Sequence, residues 1–426
     1  MIGLVNRFNF INSIFLCDTL RILLLPNSTQ DVRMNPNSSH RQTGRLQWLA
    51  SWATPVAALV AYLAFWPTGV EPVAWDAPKD AGYVGAHLPN ERLAGLQQVA
   101  LPAGQEGPEH IAAYQGALYT GLMHGEVLKF SPDGQSQSVV VNTGGRPLGI
   151  DFDAQGRMLV ADAFKGLLRV TGQGDQAKVE TLLTQVDEPV AQDPVRYADA
   201  VKVAPDGTLW LTDASRRFGA KALGSTFEAS VLDILEHSCT GRLIAVDPQS
   251  LKSRVALTGL CFPNGVAVTP DGKTLFLSET GSYRILKIDL ARLSNLGAAP
   301  AVAQALAQSA ATVLVDNLPG YPDNLMRSDS GRLWVGLTKP RSPLVDKMAA
   351  WPGLRQVVLR LPRALWPVPK AYGHVIAFDE QGRVVEDLQD PKGAYPETTS
   401  ATELGGKLFI QSLHAHSLAW LPYSGK

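Results

Sequence analysis

The sequence lacks most features that would assign it to a specialised class of protein. Its formal net charge is −1, and no basic stripe runs through it, which argues against nucleic acid as a partner. The three cysteines, Cys17, Cys239 and Cys261, are too few for a disulfide framework. Cys239 and Cys261 form either a bridge in an oxidising compartment or, as we favour, free buried thiols. Helical periodicity is weak, whereas 38 glycines and 29 prolines favour many short strands joined by turns.

Long apolar runs are also scarce, with one exception near the N-terminus. Residues 48–66 carry no charged side chain and have a tryptophan at each end. About 20 apolar residues span a bilayer, and aromatic residues mark its interfaces. Because arginines precede this run and acidic residues follow it, we expect a single-pass, uncleaved transmembrane signal anchor, with the rest of the chain on the extracytoplasmic (periplasmic or lumenal) side. A cleaved secretory signal is the alternative, but no convincing cleavage site follows before Pro67.

This anchor divides the chain into segments. Residues 1–47 are expected to be cytoplasmic, and 1–33 can be read as an upstream extension because Met34 is an alternative start. Residues 67–94 are rich in proline and are interpreted as a linker. Residues 95–426 are expected to form one folded domain.

The sequence of the expected domain repeats one pattern of strands and turns six times. The cleanest copy has strands at 266–268, 275–277 and 285–288, with a turn at 270–272 between the first two. Such self-similarity is typical of four-stranded blades repeated around an axis. The sequence therefore predicts an all-β, six-bladed β-propeller. Because the last repeat has only three strands, we expect the isolated strand at 96–101 to complete the last blade.

The two faces of the predicted disc differ in their chemistry. The turns between the first and second strands of each blade are monotonous Asp/Gly turns such as 270–272, whose acids we interpret as turn caps. Most reactive polar residues, including His124 and His414, fall on the opposite face. Insertions at 216–238 and 340–371 interrupt the repeat, and the second is expected to be helical. Turn formation does not require this asymmetry, which indicates a functional face.

Four oxygen-bearing side chains occupy nearly the same place in four blades, directly before the innermost strand: Glu109, Asp199, Asn264 and Asp323. A ring brings them close together, and three carboxylates in a dry channel would repel one another. A bound cation resolves this repulsion, and a ligand set made only of oxygens favours Ca²⁺. Asn324 is either a fifth ligand or a substrate contact. The alternative is that these side chains hydrogen-bond exposed backbone where the chain enters each blade.

Several motifs resemble strictosidine synthase-like proteins, the group that includes adipocyte plasma membrane-associated proteins; they lie at 146–150, 160–168, 211–215, 240–243, 262–267 and 321–324. The resemblance covers about residues 95–423. The expected N-terminal anchor is also similar to that of the adipocyte plasma membrane-associated proteins. The resemblance implies membership of the gluconolactonase–paraoxonase superfamily of six-bladed propellers. In the hydrolases of that superfamily a calcium lies at the axis, and its ligands match Glu109, Asp199, Asn264 and Asp323.

Two departures from that resemblance affect the expected chemistry. Asp199 stands where those hydrolases have an amide, and the added negative charge should tighten cation binding but weaken the metal as a Lewis acid. Thr399 stands where strictosidine-forming enzymes have a glutamate base, which argues against amine–aldehyde condensation.

The site and the resemblance together predict a calcium-dependent hydrolase of esters or lactones. The metal would polarise the carbonyl, and Asp323 or Asp199 would activate water or attack directly. His124 or His414 would assist as acid or base. The second insertion would add apolar surface, which implies a small hydrophobic ester or lactone as substrate. The alternatives are a non-catalytic ligand- or protein-binding propeller with structural calcium and a strictosidine synthase-type condensing enzyme.

Overall fold

The protein is seen in a computed structural model that describes residues 41–294 and 309–425. Six four-stranded antiparallel sheets are present in these residues, and the prediction of an all-β, six-bladed propeller is confirmed. The proposed upstream extension, 1–33, lies outside the described residues.

The first three blades follow chain order, with the innermost strand first. Their strands are β2 (Ile111–Tyr114), β3 (Ala117–Gly121), β4 (Glu126–Phe130) and β5 (Gln137–Asn142) in blade one; β6 (Pro147–Phe152), β7 (Met158–Asp162), β8 (Gly166–Thr171) and β9 (Lys178–Leu183) in blade two; and β12 (Ala198–Val203), β13 (Leu209–Asp213), β14 (Gly241–Val246) and β15 (Ser253–Leu260) in blade three. A separate two-stranded ribbon pairs β10 (Gln185–Val186) with β11 (Asp193–Pro194).

The last three blades repeat this arrangement. Their strands are β16 (Pro263–Val268), β17 (Thr274–Glu279), β18 (Arg284–Asp289) and β19 (Ala311–Val315) in blade four; β20 (Gly320–Arg327), β21 (Leu333–Pro340), β22 (Gly373–Phe378) and β23 (Val384–Asp390) in blade five; and β24 (Thr398–Leu404), β25 (Lys407–Ser412), β26 (Ser417–Pro422) and β1 (Gln97–Ala100) in blade six.

Strand β1 closes the ring, as the sequence predicts. It pairs antiparallel with β26, and the register places Gln97 opposite Trp420 and Ala100 opposite Ser417. Blade six therefore combines the first strand of the domain with the last three, which covers an edge that would otherwise be open.

Burial decreases from the axis outward within a blade. Every residue of the innermost strand β16 is buried. In contrast, the first three residues of the outermost strand β5 are exposed. Inner strands are covered on both faces by neighbouring blades, so most of their residues are buried on either face. The hydrophobic core is consequently distributed in the spaces between blades.

The Asp/Gly turns on one face do cap their own hairpins. Asp271 Oδ1 accepts hydrogen bonds from the Thr269 hydroxyl at 2.6 Å and from Lys273 N at 3.1 Å. Gly272 follows with φ of +68°, a conformation that disfavours other residues. The interpretation of these acids as turn caps is confirmed here.

Short helices decorate the blades; they are α2 (Ala220–Leu223), α3 (Thr226–Glu236), α4 (Leu290–Ser294), α5 (Pro343–Lys347) and α6 (Pro352–Leu359), with 3₁₀ turns at Gly85–His87, Gly174–Gln176, Thr280–Ser282 and Arg363–Leu365. Ser225 caps α3 by accepting a hydrogen bond from Glu228 N at 3.1 Å. The second insertion is helical as expected but divided, because prolines begin both α5 and α6 and cannot continue a preceding helix.

The chain separates into two compact units with the boundary after Pro67. In the first unit, the described element is helix α1 (Arg41–Phe65). Among the described residues no helix combines the length and apolarity that crossing a bilayer requires. The transmembrane helix expected at 48–66 is therefore not confirmed.

Residues 68–94, which belong to the segment 67–94 expected to be a linker, run along the propeller surface. Val73 N donates to Glu236 O at 2.8 Å, and Leu93 N donates to Gln389 O at 2.9 Å. Farther along, His87 Nδ1 and His374 Nε2 both bond Asp387 Oδ2, at 2.7 and 3.0 Å. Backbone and side-chain bonds thus hold this segment against blades three and five.

The expectation of free thiols at Cys239 and Cys261 is wrong, because the two residues form a disulfide. The bond joins the end of the first insertion to the residues before β16. Only the fold brings together residues that lie 22 positions apart in the chain.

Candidate functional site

Four side chains from different blades converge at the inner ends of the sheets; we call Glu109, Asp199, Asn264 and Asp323 the axial cluster. Each is buried, with exposed fractions between 2% and 7%. Burial raises the pKa of the Asp199 carboxyl, and the charges of Glu109 and Asp323 raise it further. Burial and the Glu109 charge likewise raise the pKa of Asp323, although the Asn264 side chain hydrogen-bonds to it. The four predicted residues are therefore neighbours.

Local backbone irregularity aims three of these side chains, Asp199, Asn264 and Asp323, inward. The pairing register shifts between Ala198 and Val201 in blade three, and the equivalent shift spans Asn264 in blade four and Asp323 in blade five. Such bulges bend a strand and redirect a side chain. The shifts recur in blades two and six, where the redirected positions hold Leu148 and Thr399 instead of a carboxylate.

Close packing of backbones surrounds the cluster. A Cβ on Gly265 would lie 2.0 Å from Leu325 N, and one on Gly149 would lie 2.7 Å from Ala200 Cα. Neither position leaves space for a side chain. Glycine therefore lets adjoining innermost strands approach within the distance at which their axial residues meet.

Three oxygens of the axial cluster are buried without a hydrogen-bond partner among the described residues: Glu109 Oε2, Asp199 Oδ1 and Asn264 Oδ1. A buried, unpaired oxygen is costly, and nearby ionised carboxylates add repulsion. Carboxylate and amide oxygens are the donors that Ca²⁺ prefers. The chemistry of the unpaired atoms thus fits a hard divalent cation, and these residues, with Asp323, would hold it.

Asn324 braces the cluster across the ring. Its Nδ2 donates to Glu109 O at 2.8 Å and to Glu109 Oε1 at 3.4 Å. Its backbone N donates to Asp323 Oδ1 at 2.9 Å. The Thr399 hydroxyl also donates to Glu109 O, at 2.5 Å. In this arrangement Asn324 and Thr399 position Glu109 and Asp323.

A second set of buried acids surrounds the axial cluster; we call Asp162, Asp213 and Glu279 the outer carboxylates. Asp213 accepts hydrogen bonds from Arg196 N, Tyr197 N and Arg242 Nε, at 3.1, 2.8 and 2.9 Å. Asp162 and Glu279 accept equivalent backbone bonds in blades two and four. Part of the polar asymmetry between the two faces is therefore structural, because these acids tie one turn to the chain segment that enters the blade.

An apolar cavity of about 100 Å³ opens beside the axial cluster. Helix α3 contributes Phe227, Val231 and Leu235, and Trp366 from the second insertion lies opposite. Of the axial cluster, Asp323 lines the cavity. The two insertions thus supply hydrophobic walls, and a carboxylate lies at their inner end.

A polar network of blades five and six reaches the same cavity through Lys339, while His414 lines a separate pocket and contacts the cavity wall at Phe227. Glu397 bonds His414 Nδ1 through one oxygen and Lys339 Nζ, at 2.6 Å, through the other. Burial raises the pKa of Glu397, but its hydrogen bonds to His414 and Lys339 outweigh burial and bring it down to about 2. Lys339 also lines the cavity. His124, by contrast, is exposed in the turn between β3 and β4 and takes no part in this network.

Two groups at the site were missed by sequence reasoning. One is the pairing of His414 with Glu397 and Lys339, which depends on contacts between blades five and six. The other is Arg146, which is 1% exposed and whose Nε and Nη2 lack partners among the described residues. An arginine where other blades carry an aromatic residue was the available signal.

Comparison with known proteins agrees with this geometry. Residues 105–344 match the family described as the SMP-30/gluconolactonase/LRE-like region. Protein strictosidine synthase-like 6 of Arabidopsis thaliana is 32% identical over 78% of this chain and 83% of its own. The adipocyte plasma membrane-associated protein of Bos taurus is 28% identical over 83% of this chain and 84% of its own.

Solved structures support the same fold. A gluconolactonase from Xanthomonas campestris, XC5397, superposes with a TM-score of 0.53 at 18% identity, over 83% of this chain and 98% of that protein. At this level of identity the likeness establishes the fold alone. The family match covers more than half of the chain, and the plant relative exceeds 30% identity. The chain therefore belongs to the SMP-30/gluconolactonase/LRE-like family.

Proposed function

We propose that the protein is a calcium-dependent hydrolase of esters or lactones. The observation that carries the proposal is the set of unpaired, buried oxygens on Glu109, Asp199 and Asn264, next to a cavity that Asp323 lines. Membership of a family that includes gluconolactonases supports the same class of reaction.

The axial cluster would provide both binding and base chemistry. When bound, Ca²⁺ supplies a Lewis acid that polarises a substrate carbonyl. Asp323 belongs to the axial cluster and also lines the cavity, so its carboxylate can take the proton of an attacking water. Asp199, which lacks a partner on Oδ1, is the second candidate for this role.

The network from blade six would serve the leaving group. Glu397 holds the His414 ring by its Nδ1, which leaves Nε2 to exchange a proton with the departing alkoxide. Lys339 places a positive charge at the cavity wall, where negative charge develops on the substrate. His414 is therefore favoured over the exposed His124 as the assisting acid.

The cavity defines the class of substrate. Its walls are mainly apolar side chains from both insertions, including Phe227, Val231 and Trp366. Burying apolar groups of a ligand there is favourable at about 25 cal/mol per Å². We propose small hydrophobic esters or lactones as substrates, and no nucleic acid as a partner.

The test is hydrolysis of phenyl acetate and a panel of γ- and δ-lactones by the purified full chain, with added calcium and with a chelator. We expect turnover that disappears on complete calcium removal and returns when calcium is restored. Asp323→Asn should lower kcat at least about 100-fold. The matched control is Asp271→Asn, on the opposite face, which should retain full activity. Turnover that persists without calcium would exclude the metal-assisted mechanism.

A second candidate is a non-catalytic propeller with structural calcium. It is favoured by the near-complete burial of the unpaired oxygens, which face away from solvent. Calcium binding without turnover of any ester or lactone would support this function instead. Condensing chemistry is less well supported, because Thr399 uses its hydroxyl to donate to Glu109 O and offers no base.

We also propose that the propeller resides on the extracytoplasmic side of a membrane. The Cys239–Cys261 disulfide carries this proposal, since such bonds persist mainly in oxidising compartments. Mass spectrometry of the chain isolated without reductant should find both thiols blocked to alkylation. Quantitative alkylation of both cysteines would contradict the assignment.

A further inference from the structure

The point where the chain enters blade two differs from its counterparts. Two residues before the redirected axial position, three of the other four shifted blades carry an aromatic residue, namely Tyr197, Phe262 and Tyr321, and blade six carries Glu397. Backbone hydrogen bonds confirm that Arg146, Tyr197, Phe262 and Glu397 are equivalent. Their carbonyl oxygens accept from Ala163 N, Ala214 N, Thr280 N and Leu413 N, respectively.

Arg146 therefore replaces a buried aromatic residue by a cation. Two residues later, Leu148 takes the axial position, so blade two supplies no oxygen to the cluster. The arginine is 1% exposed, and burial of an unpaired charge is among the most costly substitutions a protein can carry. Something in the site must balance it.

Ring order places Arg146 between two members of the axial cluster. Blade two lies between blade one, which carries Glu109, and blade three, which carries Asp199. A Cβ on Gly149 would lie 2.9 Å from Asp199 O, so the innermost strands of blades two and three are in contact. The Arg146 charge offsets part of the rise that burial imposes on the pKa values of Glu109 and Asp199.

The guanidinium does not itself occupy the cluster. Its Nη1 makes one long bond, 3.5 Å, to Pro147 O, while Nε and Nη2 have no partner among the described residues. An arginine that replaced a metal ion would donate these groups to the carboxylates. Instead, the unpaired nitrogens of Arg146 and the unpaired oxygens of Glu109 and Asp199 do not bond each other. The carboxylate oxygens are therefore free to bind a cation.

The charges then sum to a definite value. When the three carboxylates are ionised as cation ligands they contribute −3 and Arg146 contributes +1, so the protein groups of the loaded site carry −2. We propose that Arg146 is the internal counter-charge of the axial cation site, compensating the third carboxylate, Asp199, so that one divalent cation neutralises the cluster. This inference rests on the cation site of the proposed function.

A neutral loaded site has a consequence for substrates. With −2 matched by Ca²⁺, no excess negative charge remains to weaken polarisation of a bound carbonyl, and no excess positive charge attracts an anion. Uncharged esters and lactones are therefore the favoured substrates, in agreement with the apolar cavity.

The experiment measures calcium affinity of the full chain by titration calorimetry in four proteins: wild type, Arg146→Gln, Asp199→Asn and the double variant. Removing the positive charge should raise affinity roughly tenfold, and removing the negative charge should lower it at least roughly tenfold. The double variant should return to within about threefold of wild type. In chelator, Arg146→Gln should melt at a lower temperature than the double variant.

Two further variants guard against a general loss of structure. Arg146→Lys keeps the charge and should bind calcium within about threefold of wild type, because the role depends on charge rather than on fork geometry. The matched control is Arg242→Gln, equally buried but bonded to Asp213 and Asp193, which should lose stability without changing calcium affinity.

The outcomes separate this inference from the proposed function. If wild type binds calcium but Arg146→Gln leaves the affinity unchanged or lowers it, the counter-charge role is wrong while the hydrolase proposal stands. If Arg146→Gln binds calcium and wild type does not, Arg146 is itself the cation of the cluster, and both proposals fail. Calcium binding with the predicted cycle but no ester or lactone turnover supports the counter-charge and rejects the hydrolase.

Discussion

Two sets of buried carboxylates lie in this propeller a short distance apart, and their surroundings differ. Asp213, an outer carboxylate, accepts three hydrogen bonds, one of them from Arg242. In the axial cluster, Glu109 and Asp199 each leave an oxygen unpaired. Burial is nearly complete in both sets. The difference shows that pairing, rather than burial, separates a structural acid from a candidate ligand.

The same distinction explains why the outer carboxylates lie on the functional face without serving it. Asp162 accepts from Arg146 N and so fixes the backbone that carries a residue of the site. Glu279 accepts from Cys261 N in the same way. These acids hold the backbone where the chain enters a blade, next to the position of the axial residue.

Loss of an outer carboxylate should have the largest effect on stability. Asp213→Asn removes a charge that is 0% exposed and leaves Arg242 with a weaker set of partners. We expect the free energy of unfolding to fall by about 3–5 kcal/mol, with calcium affinity unchanged in the folded protein. Urea denaturation and calcium titration measure the two quantities. A loss of calcium affinity without a loss of stability would reverse the comparison.

The equivalent change in the axial cluster should act in the opposite direction. In chelator, Glu109→Gln should leave stability unchanged or increase it by up to about 1 kcal/mol, because it removes a charge that repels Asp199 and Asp323. At calcium a hundredfold above its Kd, wild type should gain about 2.7 kcal/mol, and the variant much less. Thermal melts with and without calcium test this. A strongly destabilised variant in chelator would make Glu109 a structural acid like Asp213.

Asp233 in helix α3 is intermediate between the outer carboxylates and the axial cluster. It is buried, and it accepts a hydrogen bond from Ser215 Oγ at 2.5 Å. Burial raises its pKa to about 7, although this hydrogen bond opposes the shift. Since the folded pKa lies above the unfolded value of about 3.9, the stability that Asp233 contributes is present at acid pH and is lost as pH rises towards 7. Between pH 5 and pH 8, wild type should lose roughly 2 kcal/mol relative to Asp233→Asn. Parallel pH profiles of the two proteins would contradict this assignment.

The smallest effect is expected on the opposite face. Asp271→Ala removes a turn cap that is open to solvent and bonds Thr269 and Lys273. We expect a loss of stability smaller than that of Asp213→Asn, with no change in calcium affinity. Urea denaturation at pH 7 measures it. A larger loss would mean that the two faces contribute more equally to stability than their hydrogen bonds suggest.

Much of the fold could be read from periodicity. Six repeats, the Asp/Gly turns and the closing strand near residue 97 depend on local chemistry that recurs at fixed spacing, so the propeller, its ring closure and the equivalence of Glu109, Asp199, Asn264 and Asp323 followed from the sequence. A repeat also fixes ring order, which is why residues far apart in the chain could be expected to meet.

Tertiary structure alone decided which groups pair. The Cys239–Cys261 bond, the network of His414 with Glu397 and Lys339, and the isolation of the Arg146 guanidinium arise from contacts between neighbouring blades and insertions. Periodicity places a residue in a blade but does not specify which side chains of adjacent blades come within hydrogen-bond distance. That distance is set by bulges and by close backbone packing at glycines, whose effect appears only when the ring is closed.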